Sequence, residues 1–251
     1  MLTQFLSRFA LFVAAAFACP IAGAADYPQR PVKFVVPFAA GGGSDLLARV
    51  FARKMQEEWG QPVVVENRTG AGTLVGTEAA AKSPADGYTL LLGGLANIAL
   101  NPGLYDKLSY DPLKDFKLVG LVVGNPYMLI ARPGLPQKSM KELIDYARAN
   151  PEKVTYASGG RGTGQHIGMA IVAELAGVKM THVPYRGAQA AYQDILGDRV
   201  DLFFDNWGTA QALVDDKRVI ALAASTAQRL PGAPNVATIK ELGIGDLDME
   251  T

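Results

Sequence analysis

The fold is decided by residues 32–45, VKFVVPFAAGGGSD. The apolar run Val32–Val36 predicts a buried strand, because β-branched and aromatic residues dominate it. Three glycines then form a turn, and Ser44 is a predicted helix N-cap with Asp45 at the positive end of the helix. Apolar residues at every fourth position over 47–59 predict an amphipathic helix. A strand, a glycine-rich turn and a helix in this order are typical of an α/β fold.

The same unit returns in the second half of the chain. Val154–Ala157 is a predicted strand, residues 158–164 are again glycine-rich, and residues 165–176 have the pattern of a helix. Strands alternate with helices over the rest of the chain, and Lys117–Val123 is among the predicted strands. This alternation predicts mostly parallel sheets flanked by helices and divided into two α/β lobes.

Composition excludes several classes of protein. Lys and Arg number 24 and so do Asp and Glu, whereas a nucleic-acid-binding surface needs an excess of positive charge. Hydrophobic residues make up 49% of the chain and charged residues 19%, which rules out disorder of the whole chain. A single cysteine and two histidines argue against a disulfide scaffold and a zinc or multi-histidine metal site. We therefore predict no metal, no cofactor and no nucleic-acid partner.

Residues 1–25 have the pattern of a secretory signal peptide. Arg8 precedes the apolar run Phe9–Phe17, and Ala22-Gly23-Ala24 supplies an A-x-A-like cleavage site. Cleavage there would remove Cys19 and leave a mature chain without thiols, which suits an oxidising compartment. We therefore predict export to the periplasm. Lipidation of Cys19 is the alternative, although the residue three positions before it is alanine rather than the expected leucine.

The two glycine-rich loops, residues 38–44 and 158–164, sit at matching places in the two halves. Glycine lets backbone N–H groups converge, and a following helix N-terminus favours negative charge, so each loop suits a carboxylate or phosphate. In open α/β sheets, ligands bind beyond the carboxyl ends of the strands, where these loops lie. The alternative is that the glycines only make tight turns. One such loop in each half favours a ligand held between two lobes.

Catalytic motifs are sparse. The sequence contains neither G-x-S-x-G nor H-E-x-x-H. Ser158, His182 and Asp205 could be imagined as a catalytic triad, but nothing in their spacing supports it. His166 is interpreted as a neutral hydrogen-bonding group in the first turn of a helix, and Asp205 as a helix cap or a contact to a neighbouring loop. The sequence predicts a binding protein without catalytic residues.

An ordered set of motifs resembles one family. The matching pieces are Tyr27-Pro28, Val35-Val36-Pro37-Phe38, Gly41-Gly42, Asp45, Glu66-Asn67-Arg68, Gly70-Ala71-Gly72, Asp86-Gly87-Tyr88-Thr89, Tyr156-Ala157-Ser158, His166, Val183-Pro184-Tyr185 and Arg229-Leu230-Pro231. In this order they resemble the Bug-type (TctC-like) extracytoplasmic solute receptors of tripartite tricarboxylate transporters. The resemblance covers nearly the whole chain from residue 26 onwards.

The resemblance implies a two-lobe periplasmic-binding-protein fold of the Venus-flytrap kind, type II-like, that closes on its ligand. Lobe 1 would comprise residues 26–122 and lobe 2 residues 123–223, with residues 224–251 returning to lobe 1. Family members continue beyond Thr251, so the resemblance further implies a C-terminally truncated chain with an incomplete first lobe. Such a lobe would expose apolar surface.

The resemblance also implies the function: a monomeric receptor that delivers a small carboxylate to the membrane subunits of a transporter. The ligand classes are di- and tricarboxylates, acidic amino acids and aromatic acids. The predicted ligand-binding residues are Phe38, Ala39, Ala40, Gly41, Gly42, Gly43, Ser44, Ser158, Gly159, Gly160, Arg161, Gly162, Thr163, Tyr185 and Asp205. Arg161 stands where small or polar residues are common, which points to a distal carboxylate contact. The alternatives are a sensor subunit for a membrane kinase and a secreted hydrolase using Ser158.

Overall fold

A computed structural model describes residues 27–250, so the predicted signal peptide and Cys19 lie outside the described residues. The strands are β1 (Val32–Val36), β2 (Val63–Asn67), β3 (Thr89–Leu91), β4 (Tyr127–Ala131), β5 (Thr155–Ser158), β6 (Thr181–Pro184), β7 (Leu202–Asn206) and β8 (Ile220–Ala224). The α-helices are α1 (Gly43–Trp59), α2 (Leu74–Ala81), α3 (Asn101–Leu104), α4 (Met140–Ala149), α5 (Gly164–Leu175), α6 (Ala188–Leu196) and α7 (Trp207–Asp215). A 3₁₀ turn at Ala71–Thr73 and a π-helix at Leu95–Leu100 complete the elements.

The first sheet has the order β2-β1-β3, and both pairings are parallel. Helix α1 covers it with the predicted stripe, since Phe51, Met55 and Trp59 pack against the apolar side chains of the sheet. The helix begins two residues earlier than the sequence predicts. Its N-cap is Gly42, which forms no side-chain hydrogen bond to the helix. The prediction of Ser44 as the N-cap is therefore wrong.

The second sheet has the order β6-β5-β7-β4-β8. Strand β5 is parallel to β6 and β7, whereas β4 is antiparallel to β7 and β8. Both faces are buried, because alternate residues of the central strands point to opposite cores: Phe204 belongs to one core and Phe203 to the other. The predicted fold class, mostly parallel sheets flanked by helices, is confirmed, with the antiparallel strand β4 as an addition.

The segment 117–126 connects the described part of the first half to β4 without forming a helix or strand. The predicted strand Lys117–Val123 is therefore wrong for this structure. Its apolar residues match a strand pattern, but a strand needs a backbone partner and none pairs with it in residues 27–250. Leu118 and Leu121 are consequently 87% and 91% exposed.

Residues 225–250 pack on the second sheet. The Ser225 hydroxyl accepts from the Tyr127 backbone N–H at 2.9 Å and donates to the Met249 carbonyl at 2.6 Å. Ile239 and Leu247 are buried in the same core as Tyr127. The apolar residues of this segment are thus buried against β4, and its assignment to the first lobe stays a prediction. The remaining lobe boundaries stay predictions.

Within residues 27–250, no helix is both long and apolar enough to cross a bilayer. The same residues hold no cluster of three or more His, Cys, Asp or Glu that could ligate a metal ion.

Candidate ligand-binding site

A cleft of about 720 Å³ lies between the carboxyl ends of β1 in the first sheet and β5 and β7 in the second. Most of the predicted ligand-binding residues line it: Phe38, Ala39, Gly42, Gly43, Ser44, Gly159, Gly160, Arg161, Thr163, Tyr185 and Asp205. Ala40, Gly41, Ser158 and Gly162 are not among the lining residues. The topology therefore brings both glycine-rich loops to one cavity, as expected for matching loops at parallel strand ends.

Asp45 organises the first loop. Its buried carboxylate accepts from the Gly41 backbone N–H at 2.9 Å, from Arg49 Nε at 3.0 Å and from Asn67 Nδ2 at 2.9 Å. Asn67 Nδ2 also donates to the Phe38 carbonyl at 3.1 Å. Burial acts to raise the pKa of Asp45, but these hydrogen bonds outweigh it and the pKa is lowered. An ionised Asp45 thus holds the first loop in place through the Gly41 N–H.

Thr163 and His166 organise the second loop. Thr163 is the N-cap of α5, since its hydroxyl accepts from the His166 backbone N–H and donates to the Gly160 carbonyl at 2.8 Å. The Gly162 N–H donates to His166 Nδ1 at 3.2 Å. Glycine is required here, because Gly160 and Gly162 have φ angles of 138° and 80°. His166 is therefore a neutral acceptor at Nδ1, as the sequence predicts.

Ser158 and His182 meet behind this loop. Ser158 Oγ lies 2.6 Å from His182 Nε2, and the rings of His182 and His166 stack with their centroids 4.1 Å apart. Burial, His166 and the positive charge of Arg161 lower the pKa of His182 to about 4. Asp205 is hydrogen-bonded elsewhere, Ser158 is fully buried and its hydroxyl also lies 3.1 Å from the Gly160 carbonyl. Two members of the imagined triad are close, yet the serine does not open to the cleft, which argues against the hydrolase alternative.

Asp205 lies at the floor of the cleft and is 1% exposed. It accepts from Gln165 Nε2 at 2.6 Å and from the Tyr192 hydroxyl at 2.7 Å. Gln165 Oε1 in turn accepts from the Gly159 N–H at 2.7 Å. Burial raises the pKa of Asp205 despite these hydrogen bonds. The predicted contact of Asp205 to a neighbouring loop thus runs through Gln165, which no sequence motif indicates.

Much of the loop N–H capacity is used internally. The N–H groups of Gly41, Gly159 and Gly162 go to Asp45, Gln165 and His166, and that of Gly160 goes to Ser158 Oγ. The first turns of α1 and α5, however, open into the cleft through Gly43-Ser44 and Gly164-Gln165. First-turn N–H groups have no acceptor within the helix and carry the positive end of its dipole. The anion-binding character therefore lies at two helix starts that line one cleft, rather than in the glycine turns alone.

The charged rim of the cleft consists of Arg161 and Arg186, both exposed. Within residues 27–250, neither guanidinium forms a salt bridge with an acidic side chain. The glycine-rich pattern points to Arg161 but not to Arg186, whose only local signal is the following Gly187 with a φ of 108°. Tyr185 lines the cleft, but its hydroxyl donates to Asp194 at 2.7 Å, and burial together with Asp194 raises its pKa to about 12.

The loops of the two sheets touch each other at the edges of the cleft. Gln189 Nε2 on α6 donates to the Gly41 carbonyl at 2.9 Å. A Cβ atom added at Gly187 would lie 2.6 Å from Ala39 Cβ, and one at Gly72 would lie 2.5 Å from the Arg161 carbonyl oxygen. The two halves are thus in close contact around a cavity.

Solved structures similar to this chain include a periplasmic binding protein. The chain superposes on the periplasmic binding protein BugD with a TM-score of 0.84 and 38% identity, covering 89% of this chain and 75% of that one. A Rhodopseudomonas palustris protein solved with adipate gives a TM-score of 0.85 at 35% identity, covering 90% and 75%. MatC from the same species, solved with malate, gives 0.85 at 32% identity, covering 89% and 76%. The fold and the cleft define this chain as a solute-binding protein.

Sequence comparison identifies the family. A family model described as "Tripartite tricarboxylate transporter family receptor" matches residues 47–251. The protein in the tcbD-tcbE intergenic region of Pseudomonas sp. strain P51 is 38% identical over 86% of this chain, which spans 64% of that protein. Protein BugT of Bordetella pertussis is 36% identical over 96% of this chain, which spans 74% of BugT. The chain belongs to the family of tripartite tricarboxylate transporter receptors, as the motifs predict.

Proposed function

We propose that this chain is a periplasmic receptor that captures a small dicarboxylate and delivers it to the membrane subunits of a tripartite tricarboxylate transporter. The observation that carries the proposal is the pair of helix N-termini, at Gly43 and Gly164, which line one cleft from opposite sheets. Each favours a carboxylate through its free N–H groups and its dipole. Related proteins solved with adipate and with malate support a ligand with two carboxylates.

The second carboxylate would bind at the rim of the cleft. Arg161 lies there in the loop between β5 and α5, without a salt-bridge partner in residues 27–250. A planar guanidinium pairs with a carboxylate through two parallel hydrogen bonds. We therefore assign one end of the ligand to the helix starts and the other to Arg161.

Calorimetric titration of the purified protein tests the proposal. Adipate and hexanoate have the same chain length and differ by one carboxylate, so they form a matched pair of ligands. We expect adipate to bind more tightly than hexanoate, because only adipate reaches both ends of the cleft. Absence of binding by adipate, malate and other small carboxylates would contradict the receptor function.

Replacement of the rim arginine separates the two ends. We expect Arg161→Ala to weaken adipate binding by about tenfold or more, which corresponds to the loss of one charge-assisted contact of about 1.5–3 kcal/mol, and to leave hexanoate nearly unchanged. Arg218→Ala is the control, because Arg218 is also exposed but lies outside the cleft. An equal loss for both ligands would contradict the assignment of Arg161 to the distal carboxylate.

A further inference from the structure

The carboxyl group of Asp205 is buried at the floor of the cleft without a positively charged partner. No salt bridge of residues 27–250 includes it, and its contacts are to neutral groups: Gln165, Tyr192, the Asn206 backbone and the Thr209 side chain. An ionised carboxylate in such a place is disfavoured unless hydrogen bonds compensate for its lost hydration. Burial and the four donors thus act on the protonation of Asp205 in opposite directions.

The elements that surround Asp205 place little charge near its carboxyl group. Helix α6 contributes the Tyr192 phenol and α7 contributes Thr209, while α5 contributes Gln165 and the neutral His166, whose Nδ1 faces Gly162. Arg161 and Arg186 lie on exposed loops at the rim. The ligand itself would be the strongest new charge that Asp205 meets.

The hydrogen-bond chain through Gln165 distinguishes the two oxygens of Asp205. The Gly159 N–H can only donate, so Oε1 of Gln165 must face it and Nε2 must face Asp205 Oδ1. Oδ1 is therefore held as an acceptor. Oδ2 faces the Tyr192 hydroxyl at 2.7 Å, and a hydroxyl can turn from donor to acceptor without moving its oxygen. A proton on Oδ2 would leave Gln165 and Gly159 in place.

A dicarboxylate held at the helix starts would bring a second negative charge into the cleft that Asp205 lines. Like charges at short range raise the affinity of a carboxylate for protons. We propose that ligand capture is proton-coupled: when a dicarboxylate anion binds, Oδ2 of Asp205 takes one proton from solvent and donates it to the Tyr192 oxygen. One O–H bond forms, Tyr192 keeps its own proton, and no other covalent bond changes. This inference rests on the proposed function.

Calorimetric titration with adipate in buffers of different ionisation enthalpy counts the protons taken up on binding. We expect the wild-type protein to take up a fraction of a proton, and at most about one, per adipate. Its affinity should then fall as the pH rises, with a limiting slope of about tenfold per pH unit. If the wild-type protein takes up no proton at any pH between mildly acidic and mildly basic, this measurement alone overturns the proposal.

Asp205→Asn is the informative variant. Its amide can accept from Gln165 and donate to Tyr192, and so it reproduces the protonated acid without titrating. We expect it to bind adipate with no proton uptake and with an affinity that does not change with pH. Uptake that persists in this variant would place the proton elsewhere, for example on His166 or His182, and would overturn the assignment to Asp205.

The two levels of the hypothesis fail differently. If adipate, malate and other small carboxylates give no binding at all, the proposed function fails. If adipate binds with equal heat in all buffers, the receptor function stands and only the proton coupling is lost.

Discussion

Gly72 approaches the opposite half of the protein so closely that a methyl group has no room. Its φ is 61°, and an added Cβ would lie 2.5 Å from the Arg161 carbonyl oxygen across the cleft. We expect Gly72→Ala to weaken adipate binding, because the two loops must move apart to admit the methyl group. The dissociation constant for adipate and the free energy of unfolding in denaturant measure the two consequences separately.

Gly177→Ala is the matched control for this change. Gly177 has a φ of 64°, but an added Cβ would meet nothing within 4 Å. Both variants should lose about 1–2 kcal/mol of stability from left-handed backbone strain. Only Gly72→Ala should lose affinity, so an equal loss of affinity in both would contradict the close contact.

His182 makes stability depend on pH. Burial, His166 and Arg161 lower its pKa to about 4 in the folded protein, whereas its pKa in an unfolded chain is about 6.5. Between about pH 6.5 and about pH 4 the unfolded state binds more protons at His182 than the folded state does. The contribution of His182 to the free energy of unfolding is therefore complete above about pH 6.5 and is lost as the pH falls towards about 4. Between neutral pH and about pH 4.5, the unfolding free energy of the wild type should therefore fall by about 2 kcal/mol more than that of His182→Gln.

Urea unfolding of both proteins at the two pH values checks this difference. Carboxyl groups also titrate towards the lower pH, and the comparison removes their contribution because both proteins share them. Parallel losses of stability in wild type and variant would show that His182 takes up its proton as readily in the folded state as in the unfolded one.

Side-chain partners across the fold were the part of the site that the sequence could not predict. The contact between Ser158 and His182 spans 24 positions, and the bond from Tyr192 to Asp205 spans 13. Local patterns report neighbours on one helix or strand, whereas these pairs depend on how β5, β6 and β7 are ordered in the sheet. Thr163 and Gly162, by contrast, act within one loop, and the glycine-rich pattern located that loop correctly.

Helix α6 carries a contact that joins the two halves of the cleft. Gln189 in its first turn donates from Nε2 to the Gly41 carbonyl in the first loop, 148 positions away. Because this bond exists only when the halves are close, it stabilises the closed state and not either half alone. We expect Gln189→Ala to weaken adipate binding by about 2- to 10-fold, the equivalent of one net hydrogen bond, without lowering the melting temperature of the free protein by more than a degree or two.

Gln193→Ala is the control on the same helix. Gln193 lies one turn further along α6, is exposed and does not line the cleft. Titration of both variants with adipate should show a loss only for Gln189→Ala. Equal affinities in the two variants would mean that the Gln189 bond contributes nothing to closure.

Helices and strands were predictable where burial and periodicity agree. The stripe along α1 and the strand β1 are examples, since each buries one apolar face in the same core. Lys117–Val123 has an equally apolar sequence but forms no strand. A strand requires a second strand to pair with, and the sequence of one segment does not show whether such a partner is present. Likewise, nothing local indicates that Ile239 and Leu247 pack beside β4 rather than on the first sheet.

The chain as a whole positions its cleft by repeating one unit twice. β1 leads through a glycine loop into α1, and β5 leads through another into α5, so two helix N-termini from different sheets line one cleft. Neither half alone would enclose a ligand, because each supplies one wall of the cavity. This division explains why the pairing of the loops was visible in the sequence, whereas the contacts that hold them together were not.

An exposed apolar segment runs along the surface between the two halves. Leu118 and Leu121, in the connection that precedes β4, are almost fully exposed, and Val119 between them is 87% exposed. Apolar side chains grouped in this way favour association, since burying one leucine gains about 1.5–3 kcal/mol. We expect the double change Leu118→Lys and Leu121→Lys to reduce concentration-dependent self-association, measured by sedimentation velocity over a series of protein concentrations.

The melting temperature and the affinity for adipate should be unchanged in this double variant, because neither leucine belongs to a core or lines the cleft. Leu113→Lys is the control: Leu113 is equally exposed, at 88%, but it stands apart from the apolar run. It should alter association far less than the double change. If both variants associate like the wild type, contacts other than the 118–121 segment govern self-association, and its exposure has no consequence for solubility.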